Sequence, residues 1–331
     1  MKKIWNNILE FVKSNLLVII IFSIFIGLEV FELDYSVYSP GGLINVEDRI
    51  ENKEYSSSGS FNLTYVSYRK GTIINLLIAK LLPSYDIIDN KDIVLTNEDI
   101  IDTNNREAIQ IMQANSYATY VAYKNANRDI SIKEEYDYVY YIYEDSNTEL
   151  KVGDRLLKCD NNDIKTFDDL SACLIKHEPG DKVNVDVARG NKIINTQSTV
   201  NDNKMIGIMV TKVFTYDLNP IMYYKFGKSE SGSSGGLMIA LAMYNSLVEE
   251  DITRGLKIAG TGAINVDGKV EEISGLKYKI MGAAKRKIDL FIVPSDNYDE
   301  ALNIVRDNKL NIRLLKADTF EQVVNDLKNF N

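Results

Sequence analysis

The stretch Ser229-Glu230-Ser231-Gly232-Ser233-Ser234-Gly235-Gly236 runs directly into Leu237-Met238-Ile239-Ala240-Leu241-Ala242-Met243, and no other feature constrains this chain as much. The apolar run predicts a buried helix fed by a flexible loop. A serine at such a junction has backbone N–H groups at the helix start that can hold a developing oxyanion, and glycines that let a substrate backbone come close. It still needs a base.

The chain has one histidine, His177, in the polar run Lys176-His177-Glu178-Pro179-Gly180-Asp181, so a Ser-His-Asp arrangement would hang on a single loop residue. A lysine whose pKa is lowered from about 10.4 by desolvation is the other base able to activate a serine. Gly275-Leu276-Lys277 offers one at the start of an amphipathic helix, Lys279 to Lys287, with Ile280, Met281, Ala283 and Ala284 inward. The positive end of the helix dipole disfavours the ammonium form there. Spacing alone leaves a plainer alternative, a capped loop and a solvated lysine.

These residues resemble the catalytic domain of Lon-type serine proteases, in the membrane-anchored form that carries a PDZ domain and no ATPase module. The family's serine motif, Gly-Pro-Ser-Ala-Gly, is matched by Gly232-Ser233-Ser234-Gly235-Gly236. The stretch Ala259-Gly260-Thr261-Gly262-Ala263-Ile264-Asn265-Val266-Asp267-Gly268-Lys269-Val270, followed by Ile273-Ser274-Gly275-Leu276-Lys277-Tyr278-Lys279, is similar to its strand, hairpin and Gly-Gly-x-Lys turn. The resemblance implies Ser234 as nucleophile, Lys277 as general base, Thr261 as the lysine's hydrogen-bonding partner, and backbone N–H groups of Ser234 and Gly235 as the oxyanion hole. Ser231, Ser233 and Ser274 depart from the family's acidic residue, proline and first glycine. The adjacent serines keep two alternatives open: Ser233 as the nucleophile, and an inactive, membrane-tethered scaffold that binds peptides.

The N-terminal run Leu16-Leu17-Val18-Ile19-Ile20-Ile21-Phe22-Ser23-Ile24-Phe25-Ile26-Gly27-Leu28, extended by Phe11-Val12 before it and Val30-Phe31 after it, approaches the ~20 residues of a spanning helix. Lys2, Lys3 and Lys13 precede it. The expectation is one transmembrane anchor over 1–33, with a cytoplasmic N-terminus and the rest outside. A cleaved signal peptide is the alternative, disfavoured because Glu29-Val30-Phe31-Glu32-Leu33 offers no small-x-small cleavage site.

Residues 34–126 read as strands, with a turn at Ser39-Pro40-Gly41-Gly42, then helices at Ile73 to Leu82 and Arg106 to Lys124. Ile109, Met112, Tyr120 and Val121 form the expected inner face of the second helix. This order resembles the opening of the Lon-type domain, which is then interrupted by a module at 127–203. That module has Leu150-Lys151-Val152-Gly153-Asp154, a helix capped by Thr166, Pro179-Gly180-Asp181, and an alternating strand Val183–Ala188 ending in the turn Arg189-Gly190-Asn191. Together they resemble a bacterial PDZ domain, whose family takes an extended peptide as an added strand. The catalytic part resumes over 204–331 with strands at Met205–Val210 and Ile221–Phe226, and ends with the strand Leu290–Val293, a helix from Tyr298, the strand Ile312–Leu315 and a final helix announced by Asp318-Thr319-Phe320-Glu321.

The expected fold class is α+β: a Lon-type α/β protease domain with an inserted, β-rich PDZ-like module, preceded by one transmembrane helix. A formal net charge of −9 disfavours nucleic acid as a partner. Nucleotide is not expected either. Gly227-Lys228-Ser229 has Met222 where a P-loop needs its first glycine, and Gly260-Thr261-Gly262 has Asn265 where a dinucleotide motif needs its third. No cofactor or metal is expected, since acidic runs such as Glu249-Glu250-Asp251 read as solvated faces. Cys159 and Cys173 are expected as two buried thiols rather than a bridge. The functional expectation is an ATP-independent, membrane-anchored serine endopeptidase at the cell membrane, its catalytic domain extracytoplasmic, cleaving exported or membrane polypeptides that the PDZ-like module positions. Related protease domains assemble into rings, so a homo-oligomer is the matching expectation.

Overall fold

The computed structural model describes residues 2–225, 227 and 232–330. Lys228, Ser229, Glu230 and Ser231 of the serine loop, and Phe226 of the strand expected before it, lie outside the described residues. The chain forms two compact units, Met1–Pro40 with Val66–Ile93, and Gly41–Tyr65 with Val94–Asn331.

The first unit opens with α1 (Lys2–Ser14) and α2 (Leu16–Val30). Helical hydrogen bonds continue through Asn15, from its N–H to Phe11 O (3.1 Å) and from Ile19 N–H to its own carbonyl (2.9 Å). No residue of α2 is buried. Among the described residues no helix is long and apolar enough to cross a membrane. The chain then enters β1 (Glu32–Asn45), crosses the short β2 (Ile50–Glu51), and returns along β3 (Ser60–Thr72) to α3 (Ile73–Leu81) and β4 (Asp86–Asp89). Tyr35–Tyr38 of β1 pair antiparallel with Asp86–Asp89. Thr72 starts α3 by accepting from Asn75 N–H at 3.2 Å.

The turn expected at Ser39-Pro40-Gly41-Gly42 is instead continuous strand inside β1. A Cβ on Gly41 would lie 1.9 Å from the carbonyl oxygen of Tyr65. The glycine is there so that two backbones can approach, not so that the chain can reverse.

The second unit continues with α4 (Ile100–Asn125), whose start is fixed by Asp99: its carboxylate accepts from Ile101 and Asp102 N–H at 2.7 and 2.9 Å. Ile109 and Val121 are buried in it as expected, whereas Met112 is exposed. A second sheet follows from β5 (Asp129–Ile142), β6 (Arg155–Cys159), β7 (Asn162–Asp163), β8 (Lys182–Arg189), β9 (Lys192–Thr199) and β10 (Ile208–Asn219), in the order β10-β5-β6-β8-β9, with α5 (Phe167–Leu174) beside it. Val139, Leu156, Leu170, Val183, Val185 and Val187 fill its core. The hairpin at Gly190-Asn191 closes as predicted, Arg189 opposite Lys192 and Gly190 at φ +59°.

Two expectations fail here. Of Met205–Val210, read as a strand of the catalytic part, only Ile208–Val210 is strand, and it opens β10, which pairs with β5 along its whole length, Ile208 opposite Ile142 and Asn219 opposite Asp129. Cys159 and Cys173 form a disulfide rather than two thiols, their Cα atoms 6.3 Å apart. Folding brings the C-terminal end of β6 against the buried face of α5, a proximity across 14 positions that spacing does not reveal.

Then come β11 (Tyr223–Tyr224), α6 (Gly236–Leu247), β12 (Lys257–Gly260), β13 (Ala263–Ile264), β14 (Val270–Glu271), α7 (Leu276–Ala284), β15 (Leu290–Pro294), α8 (Tyr298–Asp307), β16 (Arg313–Ala317) and α9 (Phe320–Lys328). In this unit the first sheet runs β16-β15-β12-β3-β1, and β12 is parallel to β3 and β15. Residues alternate between its faces. Ile258, Leu290 and Ile292 join the core that contains α6, Phe61 and Phe320, while Ala259, Phe291 and Val293 join the core made with Leu276, Ile280 and Ala283 of α7. α6 and α7 thus pack on opposite faces of the run of parallel strands β3, β12, β15 and β16.

Candidate active site

Loops that leave the carboxyl ends of parallel strands, between helices on both faces, form a natural crevice. β12 ends at Gly260, and the residues that follow tie the two helices together. Gly262 N–H donates to Ser234 O at 2.8 Å, Leu237 N–H donates to Gly262 O at 3.0 Å, and the Thr261 hydroxyl donates to Ser234 O at 3.1 Å. Ser234 is therefore fixed just before the first turn of α6. The positive φ of Gly232, +80°, turns the chain into that position.

From the other face comes Lys279, one turn into α7. Its Nζ lies 2.9 Å from Ser234 Oγ and donates to Thr261 Oγ1 at 3.1 Å. Lys279 is only 4% exposed. Burial pulls its pKa down from 10.5 to about 8, because an ammonium loses hydration there. Among the described residues no carboxylate pairs with it to offset that loss.

Lys277, assigned as the base from the sequence, does not occupy this place. It is half-buried, its Nζ 5.7 Å from the centroid of the neighbouring Tyr278 ring. The physical reason is helical phase. Residues two apart project to opposite sides of a helix, and α7 buries Leu276, Lys279, Ile280 and Ala283. Lys279 holds a position in the apolar stripe, and that is the signal the sequence carried.

The remaining candidates fall as follows. Thr261 does meet the lysine, but Lys279 rather than Lys277. Ser233 lines the same cleft, and its carbonyl accepts from Gly236 N–H at 3.1 Å, but among the described residues it is Ser234 whose hydroxyl meets the amine. Among the described residues the N–H groups of Ser234 and Gly235 donate to no backbone carbonyl. His177 is held by Asp160 at 2.7 Å in the second sheet's module and does not line the cleft. Cys159, Asp160 and Cys173 cluster, but the bridge uses both sulfurs. The cleft encloses about 520 Å³ and is lined by Gln110, Ser233, Glu272 and Ser274 around Ser234 and Lys279.

A hydroxyl at a helix N-terminus, held against a buried amine, is an arrangement suited to a serine hydrolase whose base is a lysine. Comparison with known proteins gives the particular kind. Residues 227–328 match the Lon protease C-terminal proteolytic domain, and residues 131–200 match the PDZ domain. The chain is 34% identical over 94 residues to the Lon protease of Mesomycoplasma hyopneumoniae, covering 28% of this chain and 11% of that one. It is 32% identical over 96 residues to the Lon protease of Campylobacter concisus, covering 29% and 12%. A mitochondrial Lon protease homolog of Phaeodactylum tricornutum is 32% identical over 113 residues, covering 33% and 12%. The alignments thus span about a tenth of these curated relatives. The chain carries a Lon-type serine peptidase domain and a PDZ domain.

Proposed function

We propose that this protein is an ATP-independent, membrane-attached serine endopeptidase, with Ser234 as nucleophile and Lys279 as general base. The observation that carries the proposal is the 2.9 Å approach of a desolvated lysine to a serine hydroxyl at a helix start. Neutral Lys279 accepts the Ser234 proton as Oγ attacks the peptide carbonyl, and the Ser234 and Gly235 N–H groups take up the developing negative charge. The same lysine then returns the proton to the leaving amine, and water repeats the sequence on the acyl-enzyme. Thr261 keeps Nζ aimed at Oγ and ties it to the Ser234 backbone. This geometry favours catalysis over the inactive scaffold that the Ser231, Ser233 and Ser274 departures raised.

The finer parts of the proposal rest on separate grounds. A catalytic part at 34–126 and 204–331, interrupted by a PDZ-like module at 127–203 that presents polypeptide substrate, is supported by the family matches within 131–200 and 227–328 and by β3 pairing in parallel with β12. Attachment through residues 1–33 is supported by α2, an apolar helix with nothing buried, joined to α1 by unbroken helical bonds. An exported catalytic domain acting on exported or membrane polypeptides fits the lysines before that helix and the Cys159–Cys173 bridge, which forms in oxidising compartments. Independence from nucleotide fits the incomplete glycine motifs, and a homo-oligomer fits the Lon-type class.

The test is cleavage of unfolded casein by the full chain in detergent, without ATP, followed by mass spectrometry. The parent and Lys277→Ala should cleave, while Ser234→Ala and Lys279→Ala should not. Activity surviving in Lys279→Ala would remove the proposed base.

A further inference from the structure

α3 is turned the opposite way from a helix of an ordinary water-exposed fold. Its inner side carries Ala79, which is buried, and Asn75, whose side-chain amide donates to Lys70 O at 3.0 Å. Its outer side carries Leu77, Ile78 and Leu81, which are 56, 37 and 80% exposed, and Leu82 continues the patch. These positions share one face at i, i+1 and i+4, and a helix normally turns such a stripe to its core.

The neighbouring element has the same property on every side. The Thr72 hydroxyl that caps α3 donates to Glu29 of α2 at 3.2 Å, so the end of one helix meets the start of the other. α2 exposes Leu17, Val18, Ile21, Phe22, Ile24 and Phe25, so both helices that meet at this bond present exposed apolar residues. A groove on a protein partner covers one side of a helix, whereas a hydrocarbon phase covers all sides, as α2 requires. α3 exposes its apolar residues on one side only, which suits a helix lying along the headgroup boundary. Exposed Lys80 in its last turn can reach lipid phosphates from there.

We propose that α3 is an interfacial membrane contact, lying along the bilayer surface beside α2 with Leu77, Ile78, Leu81 and Leu82 inserted at the headgroup–acyl boundary. This rests on the membrane attachment proposed above and adds a second, separate contact to it. The first unit is then held at the surface by two elements, so it cannot swing freely about α2.

The test uses the full chain reconstituted in phosphatidylcholine–phosphatidylglycerol vesicles that contain doxyl-labelled lipid. Single cysteines, Leu77→Cys, Leu81→Cys, Ile21→Cys in α2 and Ile193→Cys on exposed β9, carry an environment-sensitive fluorophore, and the native cysteines are bridged. Positions 77 and 81 should lose roughly half their emission to shallow doxyl groups, and position 193 none. Quenching at 21 without quenching at 77 and 81 would overturn the α3 contact and leave the anchor standing. No quenching at 21, 77 or 81 would overturn both. Blue-shifted but unquenched emission at 77 and 81 would mean a protein occupant and would equally overturn the contact.

Discussion

At the scale of single residues the protein turns on where one amine is put. The folded-state pKa of Lys279, about 8, lies below its ordinary value of 10.5, so the folded protein resists protonating it. The neutral, basic fraction grows as pH rises through 8, and kcat/KM should climb between pH 6 and 9 and then level off. A profile flat across that range would remove Lys279 as the titrating base. The same shift sets a stability cost with a definite sign. Below pH 8 the lysine is protonated in both states and the desolvation penalty is fully present; it fades as pH rises toward 10.5. Lys279→Met keeps the volume and removes the charge, so it should abolish activity yet stabilise the fold at pH 7 by on the order of 3 kcal/mol. Chemical denaturation at pH 7 and pH 10 checks this, and the gain should be smaller at pH 10. Ser234 and Thr261 came from the Lon-type resemblance rather than from local spacing, and the structure brings both against Lys279. Which lysine joins them was not legible, because Lys277 and Lys279 differ only in helical phase, and the phase depends on where α7 starts. The stripe Leu276, Lys279, Ile280, Ala283, with a lysine among apolar residues, was the available clue.

At the scale of elements, that phase is set by Gly275. It sits in the left-handed region at φ +73° immediately before α7, and its carbonyl accepts from Lys279 N–H at 3.3 Å. Alanine there is strained by about 1 kcal/mol, and the chain can relieve the strain only by shifting the first turn of the helix. Gly275→Ala should therefore lower the melting temperature by a few degrees and kcat by about tenfold or more, since a displacement of the base near 1 Å is enough. Gly255→Ala is the control: Gly255 has φ +78° and does not line the cleft, so it should lose similar stability and keep its activity. Equal activity in both variants would mean that α7 is positioned by its packing against β15 rather than by its first turn. Helices and strands with local caps and alternation were readable, including α5, the β8–β9 hairpin, β15 and α9. β10 was not, because alternation announces a strand but does not name the strand it pairs with.

At the scale of the whole molecule the two sequence-separated halves of the first sheet enclose a module with its own core, and the Cys159–Cys173 bridge belongs to that core alone. It fastens α5 to β6 beside Leu156, Leu170 and Leu174, while α6 and the apolar residues of α7 that flank Lys279 belong to two other clusters. Closing a loop of 14 positions contributes about 3 kcal/mol by the chain-entropy account. Reduction should therefore loosen the module and leave the site standing. Amide exchange in β6, β8 and α5 should accelerate strongly in dithiothreitol, exchange in α6 should change little, and hydrolysis of a short peptide substrate should persist. Loss of protection in α6 on the same timescale would mean that the module and the catalytic core unfold as one cooperative body. The bridge is checked directly by alkylating the denatured, unreduced chain: it has two cysteines in all, so a single unmodified mass means that both are paired, and a doubly alkylated mass means that the module holds itself together without the link.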